Sequence, residues 1–508
     1  MNPGDIVADR FRIAREAGRG GMGIVYLARD LQTAGAVALK ILNRAEDADG
    51  RFALEGRVLS ELRHPCIVPY VAHGTTPAGD RYLAMQWLDG QDLGARLRNP
   101  PLGLVEAMAV MTRLTDALAY AHARGIVHRD IKPSNVFLVG KNAADVRLLD
   151  FGVARIESKT RAPTATGHAI GTPGYMAPEQ IRGERVDARA DVFSLGCVAF
   201  ECLAGKPAFV ANHALAVLLK IMLEDAPRVR EVEPSVPEAL DDLISRMLAK
   251  DRNVRPADAA AVLRELAAIP TDRVDSAAIA ARTPSGAHAV ITEAERRLVS
   301  IVIAGEPDAW DAQAGAPSPY AESTLGTHSA VRESLGLRVP FDLRDTVLDG
   351  AALSNSARPF GARVELLASG AVVMTLIGEG NATDQAARAA RCALALRASL
   401  PQVPMALATG RRDLSGQAPM DEAIERAAHL LDRERDRPAE SRIARPGITA
   451  RPRVAPIRID DVTAALLDAR FEVAGADDDR ELHGERDPFT RTRTFLGRPA
   501  PFIGRDRE

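Results

Sequence analysis

Lysine is scarce in this chain of 508 residues: of 65 basic side chains only seven are lysine, and none follows Lys250. A P-loop, which sets a lysine ammonium on nucleotide phosphates, is therefore excluded from the second half. Cysteine is rarer still. Cys66, Cys197, Cys202 and Cys392 show no zinc-type pairing, and no disulfide framework is expected in so long a chain. Apolar runs are short: the nearest approach to the ~18 residues of a bilayer span, at 364–377, is broken by Glu365 and Ser369. The amino-terminal MNPGDIVADRF lacks the basic-then-apolar profile of a secretory signal. Charge of one sign is missing too, since 65 basic residues stand against 68 acidic ones for a net −3, leaving no overall field to steer the chain to nucleic acid or anionic lipid. These absences predict a soluble, cytoplasmic protein with no nucleic-acid partner and no membrane span.

What is present reads as globular. Hydrophobic residues make up 46% and charged residues 26%, which argues against wholesale disorder, and the length predicts two or three folding units. Over 11–268 strand-like segments (FRIAREAGRG, GIVYLARD, GAVALKIL, RYLAMQWL) surround one helical stretch, RFALEGRVLSEL, and from LVEAMAVMTRL onward helical periodicity dominates. A small β-rich lobe before a larger helical one is the expectation. Residues 269–292 are small, polar and aperiodic, hence a linker. Strands and helices alternate again over 293–475, predicting an α/β unit, with a Pro/Arg-rich loop at 437–456. Residues 476–508 are charged and unpatterned and read as a tail.

Three constellations in the first part carry chemistry. Gly18-Arg19-Gly20-Gly21-Met22-Gly23-Ile24-Val25 places glycines between two strands, where backbone amides can approach phosphates and Val25 can cover a base; a plain hairpin turn is the competing reading. A second strand follows it, not a helix, which disfavours dinucleotide binding. Lys40 ends the strand AVALK, and Glu55, mid-helix in RFALEGRVLSEL, is the carboxylate able to hold it, with a solvated helix residue as the alternative. The decisive stretch is His128-Arg129-Asp130-Ile131-Lys132-Pro133-Ser134-Asn135 followed by Leu149-Asp150-Phe151-Gly152. Asp130 can orient a hydroxyl, Lys132 can neutralise a transferring phosphoryl group, and Asn135 with Asp150 can hold magnesium ions on nucleotide phosphates.

With GTPGYMAPE at 171–179 and Asp191-Val192-Phe193-Ser194-Leu195-Gly196, residues 11–268 resemble a eukaryotic-like (Hanks-type) serine/threonine protein kinase of the bacterial kind. The resemblance implies a two-lobed α+β fold, Mg-ATP dependence, and phosphoryl transfer to Ser/Thr of protein substrates in signal transduction. It further implies Asp130 and Lys132 as catalytic, and Asn135 and Asp150 as metal-binding. ATP would be bound by Gly18, Arg19, Gly20, Gly21, Met22, Gly23, Val25, Ala38, Lys40, Glu55, Met85 as gatekeeper, Gln86 and Leu88 of the hinge, and Phe137. Asp191 would brace the loop around Asp130, and Arg255 would pair with Glu179. Arg129 marks a cationic position that clamps a phosphorylated loop, and Thr164 or Thr166 is the expected autophosphorylation site.

The segments ERRLVSIVIAG, GNATDQAARAARCALALRA, PMALATG and EAIERAAHLL resemble the class III nucleotide cyclase homology domain, which implies a ferredoxin-like α/β fold. That family needs two metal-binding aspartates, whereas Ile303-Ala304-Gly305 and Ala368-Ser369-Gly370 occupy the corresponding positions, and Glu425 and His429 replace its late-helix Asn and Arg. The expectation is a degenerate cyclase fold kept for dimerisation or sensing, which leaves room for a homodimer through either unit. Residues 498–508 (RPAPFIGRDRE) resemble the lead-in to an ATPase module, with an ordinary basic tail as the alternative. Two rival functions are nucleotide cyclisation by 293–475 and an ATP-sensing scaffold without phosphoryl transfer.

Overall fold

In the computed structural model of this protein the residues described are 1–20, 23–42, 56, 59–76, 79–98, 101–151, 173–269, 296–305, 350–378, 381–413, 421–436, 454–476, 479–486, 494–495 and 498–499. They divide into two compact units, the first reaching residue 269 and the second starting at 296. Among the described residues no helix is long and apolar enough to cross a membrane.

Alternating apolar residues build the six-stranded antiparallel sheet that opens the first unit: β1 (Ile6–Val7), β2 (Phe11–Gly20), β3 (Gly23–Asp30), β4 (Ala36–Leu42), β5 (Tyr70–Thr75) and β6 (Arg81–Gln86), in the order β1-β2-β3-β4-β6-β5. Phe11, Ile13, Tyr26, Ala28, Val37, Leu39, Tyr82 and Ala84 fill a core on one face. Their neighbours Val25, Ala38, Lys40 and Met85 therefore fall on the other, since successive strand side chains alternate. β2 and β3 pair up to Gly20 and Gly23, which face each other at the end of the ladder. Gly23 has φ +141°, and a Cβ there would lie 2.1 Å from the Ile41 carbonyl oxygen, so the close passage of β4 requires glycine.

A three-stranded sheet, β7 (Gly90–Asp92), β8 (Val136–Val139) and β9 (Val146–Leu148), sits within the otherwise helical remainder. The helices are α1 (Leu93–Leu97), α2 (Leu104–His122), α3 (Pro178–Ile181), α4 (Ala188–Ala204), α5 (Ala214–Leu223), α6 (Val229–Val232), α7 (Glu238–Met247) and α8 (Ala259–Ala268). α4 is buried nearly all round, from Ala190 to Phe200, as a central helix must be. Asp187 caps its start by accepting from the Arg189 amide, and Gly205 ends it in the left-handed region. α2 packs against α4 and α8.

The second unit is a seven-stranded sheet of β10 (Arg296–Ala304), β11 (Arg363–Leu366), β12 (Val372–Gly378), β13 (Met405–Asp413), β14 (Ile457–Ile459), β15 (Phe471–Ala474) and β16 (Glu481–Glu485), ordered β11-β12-β10-β13-β14-β16-β15. All neighbours are antiparallel except β13 and β14. Its helices are α9 (Gly350–Ala357), α10 (Ala382–Ser399), α11 (Asp421–Asp436) and α12 (Asp461–Leu466). Val302, Ala304, Met374, Leu376, Met405 and Leu407 share a core with Ala389, Ala393 and Leu396 of α10. The apolar stretch 362–378 is a hairpin rather than one strand, turning at Gly370 with φ +89°.

The expected boundary at 475 falls short. β16 lies inside the sheet, between β14 and β15. Its one buried apolar residue, Leu482, stands in a charged stretch and gives no local strand signal; Arg458 Nη1, 2.8 Å from Glu481, helps hold it. The expected linker, from 270 to 292, lies outside the described residues.

Candidate active site

Helix α4 anchors the site from below. Asp191, in its first turn and fully buried, accepts from the His128 and Arg129 backbone amides, both at 2.7 Å, and from His122 Nε2 at 2.9 Å. His122 Nδ1 accepts from the Ala259 amide, so the proton is on Nε2 and a neutral ring serves both bonds. Burial alone would raise the Asp191 carboxyl, but the His122 and His128 contacts prevail and hold it below its ordinary value. Sequence reading anticipated Asp191 as the brace and missed His122, 69 residues away, because no spacing links them.

The braced loop is strained. Arg129 has φ +67° and Asp150 φ +45°, left-handed conformations costing about 1–2 kcal/mol in a non-glycine residue. His128 ties the two places together: its Nε2 donates to the Leu149 carbonyl at 2.9 Å, its Nδ1 accepts from the Asp130 amide at 3.2 Å, and its ring centroid is 4.6 Å from that of buried Phe151. Only the neutral imidazole fits both bonds, and burial pushes its pKa down. A further backbone bond, from the Leu149 amide to the Asn135 carbonyl at 2.8 Å, joins the same segments.

On this frame the expected residues converge. Lys40 Nζ is 2.9 Å from Asp150 Oδ2, and Lys132 Nζ is 3.0 Å from Asp130 Oδ2. Asn135 Nδ2 donates to the Asp130 carbonyl at 2.8 Å and to its Oδ2 at 3.0 Å. A carboxylate held by an amide and an ammonium can orient a hydroxyl proton, and two cations nearby can offset the charge of an anionic group.

The six-stranded sheet supplies the roof. Val25 pairs with Lys40, and Ala38 with Met85, which is 7% exposed. Gln86 donates its amide to the Pro69 carbonyl and Trp87 to that of Ala36; Leu88 and Phe137 are half-buried. Gly18 and Arg19 lie at the end of β2, Arg19 pairing with Glu16 at the surface. Gly21, Met22, Glu55, Thr164 and Thr166 lie outside the described residues. Away from the site, Arg255 meets Glu179 as expected, at 2.8 and 3.0 Å with both side chains buried.

Among the described residues one other cluster has ligand-type atoms. His64, Cys66 and Asp116 bring theirs within 4.8 Å of one another. The Cys66 amide donates to His64 Nδ1, so the ring proton sits on Nε2 beside Asp116, 3.4 Å away, and the lone pair a metal would need is already used. Burial raises the Cys66 thiol as well.

A family model described as protein kinase domain matches residues 11–266. The chain belongs to the protein kinase family. The serine/threonine-protein kinase Pkn1 of Myxococcus xanthus is 40% identical over 257 residues, which cover 49% of this chain and 37% of that protein. The probable serine/threonine-protein kinase PknB of Lactococcus lactis is 35% identical over 274 residues (52% and 42%), and the DNA damage-responsive serine/threonine-protein kinase RqkA of Deinococcus radiodurans 36% over 267 (52% and 40%). The chain thus spans about two fifths of the length of these curated relatives. Members of this family use ATP with a divalent metal, generally magnesium. The donor set of this kinase domain fits such an ion: the Asp150 carboxylate and Asn135 Oδ1 are hard oxygens, and two protein ligands suit a cation that keeps water and phosphate oxygens as its others.

Proposed function

We propose that the kinase domain transfers the γ-phosphoryl group of ATP to serine and threonine hydroxyls of protein substrates in bacterial signal transduction. The convergence of Lys40, Asp130, Lys132, Asn135 and Asp150 carries this reading. Asp130 orients the acceptor hydroxyl, Lys132 neutralises the moving phosphoryl group, and Lys40 turns from Asp150 to the α- and β-phosphates. The amides of the 18–23 turn approach those phosphates, and Val25, Ala38, Met85, Gln86, Leu88 and Phe137 enclose the adenine. Asn135 and Asp150 hold magnesium, whose contribution is to neutralise phosphate charge. The test is incubation of the chain with labelled ATP and magnesium. Asp130→Asn should lower turnover by roughly 10²–10⁴-fold, and Lys40→Ala should abolish labelling while leaving the fold intact; transfer by either variant at the wild-type rate would overturn the assignment. Phosphopeptide mapping of active protein should find phosphate on Thr164 or Thr166, and neither modified would reject autophosphorylation there.

For the second unit we infer a ferredoxin-like, degenerate cyclase homology domain running from 293 through β16, joined by the linker 269–292 to a kinase domain at 1–268, with cytoplasmic residence and homodimerisation as parts of the same reading. Its support is the order β13-β10-β12-β11, antiparallel throughout, within a β-α-β-β-α-β succession. No carboxylate stands at 303–305 or 368–370, and Glu425 and His429 lie on α11. A cyclic-nucleotide assay on the full chain should read zero, and product formation would refute degeneracy.

A further inference from the structure

We propose that Gly56 and His73 form a steric pair that positions the helical segment next to Glu55 for phosphoryl transfer, an inference that rests on the kinase reading above. Gly56, the residue after Glu55, is helical and buried, as are the helical residues 59–61 in part. A Cβ at Gly56 would meet the His73 ring at 2.3 Å from Cγ, 2.4 Å from Nδ1 and 2.5 Å from Cδ2. Ordinary contact begins at 3.4 Å, so any larger residue lacks about 1 Å of room.

The imidazole is not free to make that room. His73 stands in β5 and pairs with Leu83 of β6. Its Nδ1 is hydrogen-bonded by Tyr70 Oη at 2.6 Å, with the two rings tilted and their centroids 5.7 Å apart. The atom a methyl would strike first, Cγ, is the root of the ring, so avoidance requires the whole side chain to change rotamer and to break the Tyr70 bond. The helical segment has to give instead. In sequence it follows directly on Glu55, whose carboxylate is proposed to hold Lys40, while Tyr70 of the same strand as His73 pairs with Met85. A missing methyl at 56 and a bulky ring at 73 thus set how closely this segment seats on the sheet. Gly56 and His73 are positioning residues: neither is argued to touch nucleotide or acceptor.

The experiment measures kcat and KM for ATP on the full chain, per folded molecule, for wild type, Gly56→Ala, His73→Ala and the double variant. A displacement of about 1 Å predicts that Gly56→Ala lowers kcat by roughly 10- to 100-fold, with KM for ATP changed by less than about threefold because the adenine site is untouched. The double variant should recover kcat to within about threefold of His73→Ala, since the ring that the methyl strikes is gone. A Gly56→Ala enzyme with wild-type kcat overturns the proposal, and so does a double variant no better than Gly56→Ala. Should Gly56→Ala not fold, the double variant decides: folded and active supports the pair, unfolded or inactive overturns it. An inactive wild type overturns this proposal together with the kinase reading, whereas an active wild type with either adverse result overturns this proposal alone.

Discussion

Replacing Asp191 by asparagine keeps its shape and removes its charge, which makes it a sharp test of how the site is held. Two oxygens now accept three bonds: Oδ1 from the Arg129 amide, Oδ2 from the His128 amide and His122 Nε2. An asparagine must turn its NH₂ toward one of these sets of donors. Facing Arg129 is the smaller loss, because only one bond breaks. Loss of a hydrogen bond to a charged group removes roughly 1.5–3 kcal/mol, and the buried N–H left without a partner costs a further 1–3 kcal/mol or so. The expected destabilisation is therefore about 3–5 kcal/mol, read as a lower midpoint in urea unfolding with an unchanged slope. The catalytic consequence is separate. Arg129 at φ +67° is kept in the left-handed region by that bond, and its release lets the backbone relax and shift Asp130, the next residue. We expect kcat to fall about 100-fold, the usual result of roughly 1 Å of misplacement, with KM for ATP preserved because Lys40 and the Gln86 strand are not involved. A variant within 0.5 kcal/mol or so of wild type and with unchanged kcat would refute the reasoning.

Other expectations follow from the same contacts. Glu179→Gln leaves the Arg255 guanidinium, 0% exposed, without its countercharge; carbonyls of Ala249, Arg189 and Lys250 still accept from it, so a loss near the lower end of the usual 3–5 kcal/mol is expected in urea unfolding. His128 is held neutral, its folded pKa below the ~6.5 of an unfolded histidine. Its contribution to stability is therefore fully present above about pH 6.5 and lost as pH falls through the folded value; a urea midpoint that does not decline on that acid limb, relative to His128→Phe, would contradict the tautomer assigned. Asp191, also depressed, contributes above the ~3.9 of an unfolded aspartate and is lost as pH falls further, so Asp191→Asn should flatten the lowest part of the same curve.

Much of the site was legible one residue at a time. Asp130, Lys132, Asn135 and Asp150 stand out because the chemistry proposed for them needs particular side chains at short spacing, and the Arg255–Glu179 and Asp191 contacts expected from the resemblance are present. The hairpin around Gly23 was legible as well, since φ and close approach leave little choice there. Other features left no local trace. β16 carries one buried apolar residue among charges, and β7–β9 interrupt a stretch whose periodicity reads as helical. His122 looks like any helix-end histidine until α4 and α8 are packed around it.

Composition and motif order by themselves determined the family and the division into two units, because backbone conformation and hydrophobic pattern act over a few residues. The tertiary structure alone decided which nitrogen of His122 and His128 bears the proton, why Arg129 and Asp150 tolerate left-handed backbone, and that Gly56 must lack a side chain opposite His73. Those outcomes depend on atoms brought together by packing from segments tens of residues apart, and such distances are not written in any local pattern.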